Sequence, residues 1–475
     1  MCIRDRALRS LNAELLRRES ILAAARVADL ADLPDDVELA RLVIVVDEFA
    51  TLADELPAFV PGLVSIAQRG RSLGVHLVLA TQRPGGVVSP EIRANSSLRL
   101  CLRTTDEGDS RDVLGAPSAA HLPVDVPGRA YLRTGNTAPR LFQVARVASA
   151  GEPSGDQVPA VRRWTWPLSP APPAATPTAA SDLSRLSRAI AAHAHTLGAR
   201  PPHRPWRPAL PDHLASDDQP EGSGTRLRIG LVDLPDEQSQ RPLELDLADG
   251  GTWLAVGGPR SGRTTLLRTV LREAVSQLGP DRLHVHVIES GGGSLATEAA
   301  GLAHTGTVIS GDDRLRTVRL IQRLAEEIAA RRATPRGADL SSVLVLVDGV
   351  EQLLTLVEEA EPGNGSAMLA RLMRDGAAAG LTCVVTADRA IPGGRLAALA
   401  RHRLILPLAD RADYAVAGVP PRAVPDHRPP GRALLGVRLP RTPVPVRPGS
   451  GWLVTGGTVE RVQVARRRAE EPARP

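Results

Sequence analysis

A chain that carries the same ordered set of short motifs twice reads as a tandem of one fold, and this 475-residue sequence does so. Gly70 and Gly74 recur as Gly376 and Gly380, both offset by 306 residues. "GVHLVLATQR" then falls on "GLTCVVTADR", with Arg83 on Arg389. "PGRAYL" (127–132) returns as "PGRALL" (430–435), offset by 303. Ahead of each copy stands an apolar, β-branched run that ends in an acid, "LVIVVDE" at Asp47 and "VLVLVDG" at Asp348. Such runs read as strands buried on both faces of a parallel sheet. Helical segments separate them: one through Leu73, a short one in "DEGDSRDVLG" closed by Gly115, and one over 263–277. Strand and helix in alternation predict an α/β fold, each module a largely parallel sheet flanked by helices.

The boundaries follow from composition. Residues 1–147 form the first module, opened by a helix over about 7–31, and residues 226–475 form the second. Residues 148–225 hold "SPAPPAATPTAA" and other Pro- and Ala-rich stretches, which predict a linker. One helix, N-capped by Ser181, interrupts it; its His193 and His195 sit two apart and share no helix face, so they predict no metal site. Hydrophobic residues make up 43% of the chain and aromatics 2%, so the cores must be aliphatic. A net charge of +5 permits contact with nucleic acid without demanding it. Cys2, Cys101 and Cys383 have no metal-ligand spacing and read as reduced thiols of a cytosolic protein. No run reaches the roughly 18–20 apolar residues of a membrane span, and there is no signal peptide. The opening "MCIRDR" differs in character from the rest of the chain and reads as a non-native leader.

The second module opens on "AVGGPRSGRTTLLRTV". Against the phosphate-loop pattern G-x-x-x-x-G-K-[ST], Gly257, Gly262 and Thr264 are on register, and Arg263 stands where the lysine belongs. Gly258 and Thr265 complete the candidate nucleotide-binding set. In such a loop, successive backbone N–H groups and the helix N-terminus cradle the phosphates. Thr264 would hold Mg²⁺ and the basic residue would reach the β/γ oxygens. The chain has no lysine at all; its 58 basic residues are arginine, so Arg263 fits a coding bias. An arginine fork and a compact ammonium are nevertheless not interchangeable. An ordinary Gly-rich strand–helix turn is the bland alternative.

The acidic strand ends supply the rest. Asp47 would orient the Mg²⁺ shell, Glu48 would polarise water, and Gln82 in "ATQRP" would sense the γ-phosphate. The second module keeps Asp348 but has Gly349 in place of the glutamate, with Glu351 a poor substitute one turn on. Loss of lysine and base predicts ATP binding with little or no hydrolysis. The alternative is an empty site that works through protein contacts alone. The first module has the opposite defect. About forty glycine-free residues precede Asp47, so it has no phosphate loop, and the chain reads as the C-terminal part of a longer protein.

"VIVVDEFATL", "AQRGRSLGVHLVLATQRPGGVVSPEIRANSSLRLCLRT" and "DSRDVLG" resemble the FtsK/SpoIIIE family of RecA-like motor ATPases. The tandem, with "HRPWRPALPDHL" and the 229–270 stretch, most resembles the coupling ATPases of type VII secretion, the EccC/EssC group. The resemblance implies tandem P-loop NTPase (RecA-like) modules that use ATP and Mg²⁺. It gives Asp47, Glu48 and Gln82 Walker B and sensor roles, and Gly257, Gly262, Thr264 and Asp348 nucleotide roles. It also implies a hexameric ring, small helical secreted proteins as partners, and a place on the cytoplasmic face of the bacterial inner membrane through an N-terminal part. Motors of this kind borrow an arginine from a neighbouring module; Arg69, Arg71, Arg99, Arg103 and Arg111 are the unranked candidates here. A double-stranded DNA translocase is the alternative function, but such a chain has one motor and a DNA-reading domain, and no basic reading helix is visible. A third reading makes the second module a protein-binding scaffold.

Overall fold

The computed structural model describes residues 3–55, 57–85, 89–145, 181–215, 222, 224–291, 293–311, 313–333, 340–389, 399–400, 402–419, 424, 429–437 and 459–466. The Pro-rich stretch 148–180 therefore lies outside the described residues. The chain divides into two compact units, residues 14–204, and residues 205–475 together with 1–13.

In the first unit, strands β1 (Leu42–Val46) and β2 (Val75–Leu79) pair in parallel, and β3 (Leu98–Leu102), β4 (Arg129–Thr134) and β5 (Arg140–Gln143) form a separate antiparallel sheet. Helix α1 (Ile3–Ala25) contributes its residues from Glu14 onward. Its Arg18 is buried, ion-paired to Glu14 at 2.7 Å, and donates to the carbonyls of Leu73 (2.8 Å) and Ala40 (2.7 Å). That fork satisfies carbonyls at the entries to both parallel strands, which explains why a charge is tolerated there. The helical stretch after Asp47 is broken into α2 (Phe49–Glu55) and α3 (Val60–Gly70), with Pro57 and Pro61 at the break. Helix α4 (Pro90–Asn95) is capped by Ser89, and α5 (Glu107–Leu114) ends at Gly115 in the left-handed region, as the sequence predicts. Strand β5 was not legible in the sequence. Helix α6 (Asp182–Thr196) takes its N-cap from Ser181 as expected.

The second unit is built on one eleven-stranded sheet. A hairpin, β7 (Arg226–Leu234) and β8 (Ser239–Asp246), precedes β9 (Gly251–Val256), and β6 (Leu214–Ala215) is a short strand ahead of both. After β9 come α7 (Arg263–Gln277), β10 (Leu283–Glu289), α8 (Ser294–Ala300), β11 (Thr305–Ser310) and α9 (Arg314–Ala333). Then follow β12 (Ser342–Asp348), α10 (Val350–Ala360), α11 (Gly365–Asp375), β13 (Leu381–Ala387), β14 (His402–Ile405), α12 (Arg411–Val416), β15 (Arg432–Val437) and β16 (Val459–Arg466). The order β11-β10-β12-β13-β9-β14 is parallel throughout, and β15, β16, β7 and β8 extend it antiparallel. Strands β9 and β13 are buried at every residue, because a hydrophobic layer lies on each face. Helix α7 covers one face with Leu266, Leu267, Val270 and Leu271, all at 0% exposure. Residues 205–215, read from the sequence as linker, are packed here: Leu210, Leu214 and Ala215 are buried, and β6 pairs with β16. Arg6, in the "MCIRDR" opening, is part of α1 and forms an ion pair with the buried Asp233 at 2.6 Å.

The repeat holds at the level of hydrogen-bond register. Val45 opposes Val78 as Leu346 opposes Val384, Leu100 opposes Leu132 as Leu404 opposes Leu435, and Arg129 opposes Gln143 as Arg432 opposes Gln463. So β1 to β5 correspond in order to β12 to β16. In the second unit β9 runs between β13 and β14. Among the described residues of the first unit, no strand joins β2 to β3.

Candidate nucleotide-binding site

Strand β9 ends at Val256 in mid-sheet, and the chain turns through Gly257–Gly262 into α7. The turn is fastened at both ends. Gly257 N donates to Ala387 O (2.9 Å) at the end of β13, and Gly258 N donates to Pro407 O (2.8 Å) after β14. Gly262, the N-cap of α7, has φ +106, a conformation closed to side chains, and a Cβ there would lie 2.9 Å from Gly431 N. This is the physical reason the second loop glycine is needed. The first amides of α7 have no acceptor within the helix, as at any helix N-terminus. Ser261 is buried, and its Oγ has no hydrogen-bond partner among the described residues.

Thr264 and Asp348, read from two separate motifs, meet. Thr264 Oγ1 donates to Asp348 Oδ2 at 2.7 Å. The other oxygen, Oδ1, accepts from Thr386 Oγ1 at 2.6 Å, and Thr386 Oγ1 in turn accepts from Gly349 N at 3.0 Å. Thr386 is fully buried and fixes the carboxylate; the sequence reading missed it, although it stands at the end of a strand in the repeat. A hydroxyl and a carboxylate are hard oxygen donors and fit Mg²⁺, which takes one or two protein ligands and leaves the rest to phosphate and water. Among the described residues, no cluster of three or more His, Cys, Asp or Glu offers an all-protein metal cage. Arg263 and Thr265 are half-buried in the first turn of α7, and among the described residues Arg263 has no carboxylate partner.

The position of the missing glutamate is occupied. Gly349 has φ +88, and a Cβ on it would meet Gln352 Oε1 at 2.5 Å. A carboxamide cannot accept a proton from water as a carboxylate does. Glu351 is turned elsewhere: its Oε1 accepts from Asp388 N at 2.9 Å, just past β13. Burial, reinforced by the Asp388 carboxyl, raises its pKa. Asp388 is the counterpart of Gln82.

In the first unit, Asp47 and Glu48 follow β1, and Gln82 follows β2, the paired strand. Glu48 has φ +51, the same left-handed turn that Gly349 makes, and its N donates to Asp47 Oδ1 at 3.0 Å. Asp47 and Gln82 are exposed. Of the arginine candidates, Arg69 pairs with Glu19 (2.6 Å) and Arg111 with Glu107 (2.5 Å). Arg99 is held by the carbonyls of Gly135 and Val113, and its pKa is lowered by burial and the nearby Arg133. Arg71 and Arg103 are exposed.

Residues 218–334, which include the loop and α7, match the FtsK/SpoIIIE family. The type VII secretion system protein EssC of Staphylococcus aureus is 29% identical over 430 residues, spanning 81% of this chain and 28% of that protein. The chain thus spans less than a third of the length of the curated relatives it matches. The cytoplasmic domain of the Thermomonospora curvata type VII secretion ATPase EccC superposes with a TM-score of 0.68 at 25% identity, over 98% of this chain and 53% of that one. ATPases 2 and 3 of the same EccC, solved with a signal sequence peptide, superpose with a TM-score of 0.56 at 19% identity, over 98% of this chain and 77% of that one. With a phosphate-loop turn, a Thr264–Asp348 contact and this likeness together, residues 218–334 are an FtsK/SpoIIIE-family domain, and the chain has the tandem P-loop ATPase fold of the EccC/EssC type VII secretion proteins.

Proposed function

We propose that this chain is part of a type VII secretion coupling ATPase whose second module binds MgATP and hydrolyses it slowly or not at all. The observation that carries the reading is the 2.7 Å contact between Thr264 and Asp348 at the mouth of the loop. Two oxygen donors from the ends of α7 and β12 meet where a phosphate-bound cation belongs. The loop amides bind the phosphates through the backbone and do not depend on the residue at 263. Arg263 has length and charge enough to reach the β/γ oxygens, and its fork adds a bidentate contact. Turnover fails for want of a base: Gln352 fills the space beside Gly349, and Glu351 is committed to the Asp388 amide.

In the same reading, the first module supplies Asp47, Glu48 and Gln82 to a site that needs a strand and phosphate loop between β2 and β3. A further part of the protein would bring that strand, as β9 does in the second module. The intact assembly would be a ring of such modules, with Arg71 and Arg103 left as the arginines best placed to serve a neighbour. Its substrates would be small helical proteins, in line with the signal sequence peptide that the T. curvata ATPases 2 and 3 hold. Its place would be the cytoplasmic face of the bacterial inner membrane; no described helix is long and apolar enough to cross a membrane.

The test is a calorimetric titration of MgATP into the whole 475-residue chain, with phosphate release followed on the same sample. Binding without release is the expected result. No heat at about 1 mM MgATP, where binding would be worth only about −4 kcal/mol, overturns it. Release at an ordinary ATPase rate sinks the claim of an idle second site.

A further inference from the structure

The motif shared by both modules that the nucleotide chemistry does not use is Pro-Gly-Arg at the entry to β4 and β15. Its surroundings match closely. Gly431 has φ +80 and Gly128 φ +81. Val464 N donates to Gly431 O (3.0 Å), and Val144 N to Gly128 O (2.9 Å). Arg432 Nε donates to Gln463 Oε1 (2.9 Å), and Arg129 Nε to Gln143 Oε1 (3.0 Å). Each glutamine then donates Nε2 to the proline carbonyl, Gln463 to Pro430 O (3.3 Å) and Gln143 to Pro127 O (2.9 Å). An arginine and a glutamine directly opposite on neighbouring strands thus clamp the same turn twice.

In the second module this turn touches the phosphate loop. Gly431 N donates to Ser261 O at 2.8 Å. A trans peptide points its C=O and its N–H in opposite directions. Holding Ser261 O against the turn therefore directs the Gly262 N–H away from it, into the loop. Gly262 at φ +106 has the freedom to let that peptide rotate, and a rotated peptide would present a carbonyl oxygen to an anion. The clamp extends outward as well. Arg432, 9% exposed, uses Nη2 on Leu210 O (3.0 Å), Pro211 O (3.1 Å) and Asp212 Oδ1 (3.3 Å), so the segment ahead of β6 is bonded to the same side chain.

We propose that Arg432 and Gln463 are positioning residues for nucleotide: they seat the Pro430-Gly431 turn that orients the Ser261–Gly262 peptide, and they connect the 210–212 segment to the phosphate loop. The proposal deepens the MgATP reading of the same site and rests on it.

The experiment uses the whole chain. Gln463→Glu keeps an acceptor for Arg432 but sets a carboxylate against the Pro430 carbonyl, so it loosens the turn while leaving the arginine paired. Arg432→Lys keeps the charge but cannot serve Gln463 and the 210–212 carbonyls at once. Titration with MgATP and with AMP, which has no β-phosphate for the loop to hold, gives the decisive ratio. Expected is about tenfold weaker MgATP binding for Gln463→Glu, the size of one lost buried hydrogen bond, with AMP unchanged and Arg432→Lys intermediate. A lowered Tm with an unchanged ATP-to-AMP ratio means a merely structural role and overturns the proposal. Amide exchange over 258–264 gives the second readout. If wild type binds no MgATP, the nucleotide reading falls, and exchange alone then decides: faster loop exchange in Gln463→Glu supports the seat, equal exchange overturns it.

Discussion

Val45 in β1 is 66% exposed; Leu346, its counterpart in β12, is 0% exposed. The same holds for Val43 (57%) against Leu344 (0%), Val78 (49%) against Val384 (1%), and Leu100 (48%) against Leu404 (1%). Register, pairwise pairing and apolar character agree, so the paired strands themselves do not account for the difference. What differs is the layer on top. In the second module that face packs on Leu266, Leu267, Val270, Leu271 and Ala274 of α7. In the first, no element of the described residues occupies that place. Burial of each such aliphatic side chain is worth about 1.5–3 kcal/mol, so the strand–loop–helix segment that carries the candidate phosphate loop also contributes stability. The comparison teaches that in this fold the nucleotide loop and the core are one element: the helix that presents Thr264 also seals the sheet.

The comparison breaks most easily with a charge. Leu346→Glu should cost more than about 4 kcal/mol and unfold the second module, while Val45→Glu should stay within about 0.5 kcal/mol, both read by denaturant unfolding. Equal losses at the two positions would mean that the first module is covered in solution. Next in size is Thr264→Val, which removes the hydroxyl that meets Asp348. It should weaken MgATP binding roughly tenfold or more by calorimetry, and Mg²⁺ dependence should fall with it. Gly349→Glu then asks whether the two modules differ only in side chain there. Glu48 already sits at φ +51, so the backbone accepts a glutamate for about 1–2 kcal/mol, provided Gln352 moves. Phosphate release from the second module should rise in this variant, and more so with Arg263→Lys added.

The smallest effect concerns Glu351. Its pKa is raised in the folded chain, so the native state binds the proton more tightly than the unfolded state. Stability from this group is fully present below the ordinary value of 4.5 and is lost as pH rises towards the raised value. Glu351→Gln stays neutral and still accepts from Asp388 N. Its Tm should match wild type near about pH 4 and exceed it by about pH 8. The opposite trend would mean that Glu351 is ionised and paired.

Much of this was legible in the sequence because it rests on local pattern. The β-branched runs, the loop glycines and the offset repeat predicted an α/β tandem, and the parallel core has that form. Asp348 and Thr264 could be singled out from sequence because the phosphate-loop pattern places candidates at strand and helix ends, and the structure brings the two together. The misses share a cause. Strands β5, β7 and β8 are short or broken by polar residues, so they give no continuous apolar run to read. Thr386 acts through a contact across strands, which spacing does not encode. The 205–215 stretch looks like linker by composition, yet its carbonyls are wanted by Arg432, and a single arginine elsewhere in the chain gives no local sign of that.

The alternation of β3 has one more consequence. Leu100 and Leu102 face solvent while Cys101 between them is buried, its thiol pushed up to about 11. Cys383 in β13 is buried as well, its thiol pushed up to about 12. Neither thiol can react with an alkylating reagent until its own sheet opens. With Cys2 changed to serine, each module therefore carries one internal clock, and reagent uptake times the breathing of the bare sheet against that of the sealed one.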